Sequence, residues 1–158
     1  MMGAKGMVMA EVCHPIVALH PVDVNGGKNS DVWSMANAAH ASICVCVGVS
    51  AAGLTITVEA CDDFVPTAVE AIAFAVYKEE TALGDTLGAR TAVASTGLAI
   101  STNDNIFYCI EIDAAELSAG KPNLRVVLSD PSASVIGCVT VCLSGLRYAG
   151  EQNATAIA

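Results

Sequence analysis

The stretch Asn123–Tyr148 (NLRVVLSDPSASVIGCVTVCLSGLRY) limits the possible folds of this chain more than any other part of it. Apolar residues occupy every second position over 123–128, and a period of two is typical of a β-strand. The polar segment Asp130–Ser132 contains proline and has the composition of a turn. A second apolar run begins at Val135. The stretch therefore predicts a two-stranded hairpin that is apolar on both faces.

The second strand of this hairpin is unusually long, so we expect a bend near Gly137 or Gly145. One of its faces should pack inside the domain. The other face should be covered by a second layer, by the N-terminal region or by a neighbouring subunit. This second face is formed by Ile136, Cys138, Thr140 and Cys142.

Alternation with a period of two recurs along the chain, and no segment is helical enough to cross over between parallel strands. Residues 67–78 also fit one face of a helix, but we favour a strand because the β-branched and aromatic residues share one parity. The expected fold is an all-β, antiparallel β-sandwich, jelly-roll-like, with about eight strands. The strands before the final hairpin are a hairpin over Ser42–Gly48 and Leu54–Glu59, then Ala71–Tyr77, Ala89–Ser95, Gly97–Ser101 and Ile106–Ile112.

The first 40 residues lack sustained periodicity and contain two His-Pro pairs, which favour extended backbone. We expect residues 1–40 to be an extended arm with at most an edge strand, 41–150 to be the sandwich domain, and 151–158 to be a tail. Without the arm, 41–150 should still fold. The residues expected to contact other subunits or the capsid are His14, Pro15, Ile16, Leu19, His20, Pro21 and Trp33.

The charge of the chain restricts its partners. The net charge is −9, and only 15% of residues are charged. With so few basic residues, we expect binding neither to nucleic acid nor to an anionic membrane. Residues 32–58 are uncharged, but polar residues interrupt them, so a membrane-spanning helix is not expected. High hydropathy with low charge favours assembly, although abundant Ala and Gly would also raise the hydropathy.

The seven cysteines are interpreted as reduced and mostly buried, because an odd number does not fit a disulfide scaffold. Cys44 and Cys46 share a strand face, as do Cys138 and Cys142. They lie within strands rather than in zinc knuckles, so no metal or other cofactor is expected. We also expect no cysteine nucleophile and no catalytic site.

Two pairs of adjacent acidic residues, Asp62-Asp63 and Glu79-Glu80, are interpreted as surface carboxylates, since neighbours in a strand or loop point apart. A calcium site that combines the first pair with Asp104 remains an alternative.

The order of these strands resembles that of capsid cement or decoration proteins of tailed bacteriophages. The resemblance covers roughly residues 41–148 and excludes the first 40. It is carried by HASICVCVGVSAAGLTITVEAC, AIAFAVYKEET, STNDNIFYCIEIDAAELSAG and NLRVVLSDPSAS…VTVCLSGLRY.

The resemblance implies a structural virion protein that is made in the host cytoplasm and is commonly a homotrimer. It implies binding to the major capsid protein on the outside of the phage head, which would stabilise the shell. Two alternatives remain open: another phage component, such as a tail, adaptor or shell-forming protein, and a carbohydrate-binding jelly roll. The second is disfavoured by the 4% aromatic content, because sugar binding relies on aromatic stacking.

Overall fold

Two antiparallel sheets stacked face to face form the fold in the computed structural model, which describes residues 6, 8–81, 84–147 and 156–157, with only the backbone of Glu11. The all-β, antiparallel sandwich predicted from the alternation is confirmed. Twelve strands are described, and four of them have only two or three residues. They are β1 Cys13–Asp23, β2 Lys28–Asn29, β3 Trp33–Ser34, β4 His40–Ser50, β5 Thr55–Cys61, β6 Val69–Ile72, β7 Phe74–Glu79, β8 Thr91–Val93, β9 Leu98–Ala99, β10 Ile106–Asp113, β11 Asn123–Leu128 and β12 Val135–Ser144.

Sheet A has the strand order β1-β12-β4-β10-β7-β8, and sheet B has the order β2-β11-β5-β6. In sheet B, β3 also pairs with β11 and β9 pairs with β5. The described helices are α1 (Met9–Val12) and a single 3₁₀ turn (Ala114–Glu116). The turn begins after Asp113 as predicted, and the Glu116 carboxylate accepts a hydrogen bond from the Asp113 N–H at 3.1 Å. Neither helix is long and apolar enough to cross a membrane.

The core lies between the sheets and is built from the inward-facing positions of each strand. Burying one Val, Leu or Ile side chain contributes about 1.5–3 kcal/mol, so the alternation is the main source of stability. Trp33 and Tyr108 are its largest fully buried side chains. The longer strands contribute Ile43, Val45, Val47, Ile56, Val58, Ile106, Ile110, Ile112, Leu124, Val126, Leu128, Val139, Val141 and Leu143.

Both hairpins predicted from the sequence are wrong, because their strands lie in different sheets. β4 belongs to sheet A and β5 to sheet B, and the same separation holds for β12 and β11. Each of these strands has a strongly apolar face. When the two strands lie in opposite sheets, their apolar faces point towards each other and are buried between the sheets. In a hairpin within one sheet, both apolar faces would lie on the same side of that sheet.

The segment around Ala73 is extended, as predicted, but it is not one strand. β6 ends at Ile72 in sheet B, and β7 begins at Phe74 in sheet A. Ile72 and Phe74 are both buried. The chain therefore passes from one sheet to the other at this point, and both apolar side chains remain in the core.

Residues 13–34 belong to the sandwich rather than to an arm beside it. β1 pairs with β12 along its length, and β2 and β3 pair with β11. Pro15 and Pro21 are tolerated because β1 is an edge strand, where N–H groups on one side have no neighbouring strand to bind. The boundary expected at residue 40 therefore does not separate an arm from a domain.

The predicted tail, 151–158, lies outside the described residues except for Ala156 and Ile157. The N–H of Ser34 donates to the Ala156 carbonyl at 2.9 Å, and Ile157 forms a bridge with Trp33. The first residues of β12 depart from regular pairing, since the register with β4 shifts between Val135 and Gly137, one of the two places where a bend was expected.

The expectation that the cysteines are reduced is wrong for two of them. Cys13 and Cys142 form a disulfide with their Cα atoms 5.9 Å apart. They are 129 residues apart in sequence. Their proximity follows from the pairing of β1 with β12, which the sequence analysis did not anticipate. The free cysteines are Cys44, Cys46, Cys61, Cys109 and Cys138.

Candidate functional site

The outward-facing surfaces of the two sheets differ in chemistry. On sheet B, the outward positions of β5 include Thr55, Thr57 and Glu59. The Arg125 guanidinium pairs with the Glu59 carboxylate at 2.7 Å, and Lys121 pairs with Glu70 at 2.9 Å. Threonines and ion pairs of this kind are typical of a surface that faces water.

The outward surface of sheet A, called here the outer face of sheet A, is much less charged across β1, β12 and β4. Val17 of β1 is 44% exposed and Ile136 of β12 is 38% exposed. Thr140, which pairs with Val17, is also exposed. The half-buried side chains of Phe107 and Tyr77 extend the surface across the sheet. This is an apolar surface on the outside of the sandwich.

Sheet B does not cover this surface, because it packs against the opposite side of sheet A. The strand β1 does not cover it as an arm either, since β1 lies beside β12 in the same sheet. Among the described residues, neither the second sheet nor residues 13–34 cover the face that includes Ile136 and Thr140. Its covering by a neighbouring subunit stays a prediction.

A polar cluster lies at one end of the outer face of sheet A, where β4 and β10 pair. The His40 ring contacts Glu111 through Nε2 at 2.6 Å and Asp113 through Nδ1 at 2.7 Å. The Ser42 hydroxyl donates to the same Glu111 oxygen at 2.7 Å. The pairing of β4 with β10 places His40 opposite Asp113 and Ser42 opposite Glu111.

The protonated form of His40 is favoured in this cluster. Partial burial opposes the charge, but the hydrogen bonds to Asp113 and Glu111 outweigh it, so the pKa of His40 is raised from 6.5. When both ring nitrogens donate to carboxylates, the ring has no free lone pair to act as a base. Ser42 donates to Glu111 rather than to His40, so the cluster differs from a nucleophile–base pair.

Four free cysteines form two cross-strand pairs on the outer face of sheet A. Cys44 is opposite Cys109 on β10, and Cys46 is opposite Cys138 on β12. All four are partly exposed rather than core residues, contrary to the sequence interpretation. Cys44 and Cys46 share parity with the polar Ser42, and this signal could have placed them on the outside.

The two thiol pairs differ in acidity. The hydrogen bond with Cys109 lowers the pKa of Cys44 to about 7, against the effect of burial. The same hydrogen bond, together with burial and the nearby Glu111 carboxylate, raises the pKa of Cys109. Burial and the neighbouring Cys138 raise the pKa of Cys46 to about 11. Near neutral pH, Cys44 is therefore the stronger nucleophile of the two β4 thiols.

The acidic pairs singled out in the sequence have local structural partners. Asp62 accepts hydrogen bonds from the Thr67 N–H and hydroxyl and from the Ala68 N–H, which lowers its pKa to about 2. Asp104 accepts from the Ser50 N–H at 2.7 Å. Among the described residues, no group of three or more His, Cys, Asp or Glu side chains is arranged to hold a metal ion.

Glu79 is buried rather than at the surface, which corrects the interpretation of the second acidic pair. Its carboxylate accepts the N–H groups of Thr81 at 2.6 Å and Thr86 at 3.2 Å, and so organises the loop after β7. Glu80 instead accepts the Tyr108 hydroxyl at 3.0 Å. Burial, together with this contact, raises the pKa of Tyr108.

The residues predicted for subunit contact do not form one surface. Ile16 and Trp33 are buried in the core, so they are not available to another subunit. Alternation could have placed Ile16 inward, because a buried Ala18 follows it at the next inward position. Of the others, His14 and Leu19 are partly buried, and Pro15, His20 and Pro21 are exposed along β1.

A small open pocket lies beside the 3₁₀ turn, with a volume of about 240 Å³. Met35, Leu117, Pro122 and Arg147 are among its lining residues. Sites for drug-sized ligands usually have about 300–1,000 Å³, so this pocket is small for an organic substrate.

Neither a protein-family model nor a curated protein matches the chain. Among solved structures, the chain aligns with a chain of the "Structure of infectious bursal disease virus Gx strain" at 18% identity and a TM-score of 0.33. The alignment covers 87% of this chain and 33% of that chain, so the present chain spans about a third of its length. A TM-score this low does not establish a common fold.

Proposed function

We propose that this protein is a non-catalytic structural component of a virion. In this role it is a cement or decoration protein that binds the major capsid protein on the exterior of a tailed-phage head. The resemblance of residues 41–148 to such proteins is the reason for proposing the major capsid protein as the partner. The contrast between the two outward surfaces supports a binding role, because among the described residues the outer face of sheet A is less charged across β1, β12 and β4 than the ion-paired surface of sheet B.

The apolar part of this surface is suited to association. Val17, Ile136 and Thr140 lie on adjacent strands and are exposed in the isolated chain. Removing such side chains from water stabilises a complex by about 25 cal/mol for each Å² of apolar surface. The His40 cluster at one end supplies charge that can fix the orientation of a partner.

Exposed valines on the two edge strands allow a matched test. Val17 lies on β1 at the edge of sheet A, and Val69 lies on β6 at the edge of sheet B. Each is 44% exposed. Val17→Lys would place an unpaired charge in the proposed contact, where desolvation is costly, whereas Val69→Lys would leave that contact unchanged.

The measurement is co-sedimentation of the purified protein with expanded capsids assembled from the major capsid protein of the same phage. The wild-type chain and Val69→Lys should bind to saturation with the same affinity. Val17→Lys should bind at least about tenfold more weakly, equivalent to about 1.4 kcal/mol. Failure of the wild-type chain to bind would contradict the proposed function, and equal losses for the two variants would contradict the proposed surface.

A further inference from the structure

We propose that Cys44 and Cys109 are a redox-active cross-strand dithiol, which a small-molecule disulfide oxidises to a second disulfide in sheet A. The two residues are directly opposite each other on the central strands β4 and β10. Directly opposed residues of antiparallel strands have Cα atoms about 4.5–5.5 Å apart. A disulfide accommodates about 4.4–6.8 Å, so the spacing of directly opposed residues is within the range of this bond.

Sheet A already contains one bond of this kind. The Cys13–Cys142 disulfide joins β1 to β12, and Cys142 shares the outward parity of Cys138 and Thr140. Closure of the proposed bond would join β4 to β10 in the same sheet. Two disulfides would then link four neighbouring strands in two pairs.

The chemistry proceeds as two exchange reactions. The Cys44 thiolate attacks one sulfur of a disulfide RSSR, which forms a mixed disulfide and releases RS⁻. Cys109 then loses its proton and attacks the Cys44 sulfur, which expels the second RS⁻. Overall, two protein thiols and one RSSR give one protein disulfide and two RSH.

The side chains around the two thiols favour the attack by Cys44 more than the later attack by Cys109. The hydrogen bond from Cys109 favours the thiolate of Cys44, whose pKa is about 7. Once Cys44 is held in the mixed disulfide, the single Cys109 proton is free to be donated to Glu111 Oε1, 3.2 Å from the Cys109 sulfur, so this carboxylate can receive it before the second attack. Because the pKa of Cys109 is raised, the second step should be the slower one.

The Cys46–Cys138 pair is a matched control within the same protein. Its two residues are also directly opposite each other on the outer face of sheet A, with Cys138 on β12 at the other side of β4. The pKa of Cys46 is about 11, so its thiolate is scarce near neutral pH. This pair should remain reduced while the Cys44–Cys109 pair closes.

The test uses the free chain with oxidised glutathione near neutral pH, followed by iodoacetamide and mass spectrometry of peptides digested without reduction. The wild-type protein should lose two of the five alkylatable thiols and yield a peptide that links Cys44 to Cys109. Cys109→Ser should stop at a glutathione adduct on Cys44, and Cys44→Ser should form neither product. Cys46→Ser should still close the bond.

Two results would overturn the proposal: a wild-type chain that keeps all five thiols, or a Cys46–Cys138 link as the main product. Iodoacetamide labelling of the reduced wild-type protein tests it without substitutions. Cys44 should react at least about tenfold faster than Cys46, and equal rates would also contradict it. The reaction takes place in the unassembled chain, so its outcome does not depend on capsid binding.

Discussion

His40 shows at the residue scale how a charged group is held on a largely uncharged surface. Its ring lies between the Glu111 and Asp113 carboxylates, and 30% of its side chain is exposed. The two carboxylates accept hydrogen bonds from the ring nitrogens, which compensates for the hydration that the ring loses on burial. Protonation of this ring therefore stabilises the folded state.

The raised pKa of His40 predicts a pH dependence of stability. Its contribution is fully present below the unfolded value of 6.5 and is lost as pH rises through the higher folded value. The free energy of unfolding should therefore decrease between about pH 5.5 and about pH 8.5 by more in the wild-type protein than in His40→Gln. Urea unfolding at both pH values measures this difference.

The control for this experiment is His20→Gln, because His20 is exposed on the edge strand β1. This variant should keep the pH dependence of the wild-type protein. A His40→Gln variant that also keeps it would show that another group is responsible.

At the scale of elements, pairing between the first and last strands decides the organisation of sheet A. β12 lies between β1 and β4, and the Cys13–Cys142 disulfide fixes β1 to β12. β1 has register shifts after Val17 and after Leu19, and it contains two prolines. Such a strand has an irregular ladder, so the covalent link compensates for weaker pairing.

Loss of this disulfide should destabilise the protein. The double variant Cys13→Ser/Cys142→Ser should lower the free energy of unfolding by about 2–4 kcal/mol, since the bond closes a long loop in the unfolded chain. Urea unfolding with and without reductant measures this effect. Reductant should destabilise the wild-type protein by a similar amount and should leave the double variant unchanged. A wild-type protein that is insensitive to reductant would contradict the prediction.

The sequence predicted the strands better than it predicted their sheets. Alternation identifies which side of β4 or β12 is buried, because parity is a local property of the chain. Whether β4 joins β5 or β12 depends on residues far away in sequence, and so does the meeting of Cys13 with Cys142. The outer face of sheet A could be found from Ile136, Cys138, Thr140 and Cys142, but Trp33 could not be assigned to the core without knowing that β3 pairs with β11.

At the scale of the whole molecule, the two sheets share one core, to which residues before 41 contribute. Trp33 is fully buried, and Val24 and Met35 lie in the same cluster. Removing a buried large side chain typically costs about 3–5 kcal/mol, comparable to the total stability of a small domain. The N-terminal residues are therefore part of the folding unit.

Deletion of residues 1–40 should consequently prevent folding, contrary to the expectation from the sequence. The deletion removes β1, β2 and β3 together with the buried Trp33. Circular dichroism and urea unfolding should show no cooperative transition for this variant. Deletion of residues 1–8, which precede α1, is the matched control and should leave a cooperative transition. A folded 41–158 fragment would contradict this account of the core.

The position of β12 has a consequence for how the protein is made. The chain emerges from the ribosome with β1 first, yet β1 has no partner in sheet A until the last long strand is synthesised. Pairing between distant segments is slow, because loop closure must precede the stabilising contacts. The pairings of β12 with β1 and β4 must therefore form after translation reaches residue 144. Until then β1 has no partner in sheet A, although β4, β10, β7 and β8 can already pair with one another.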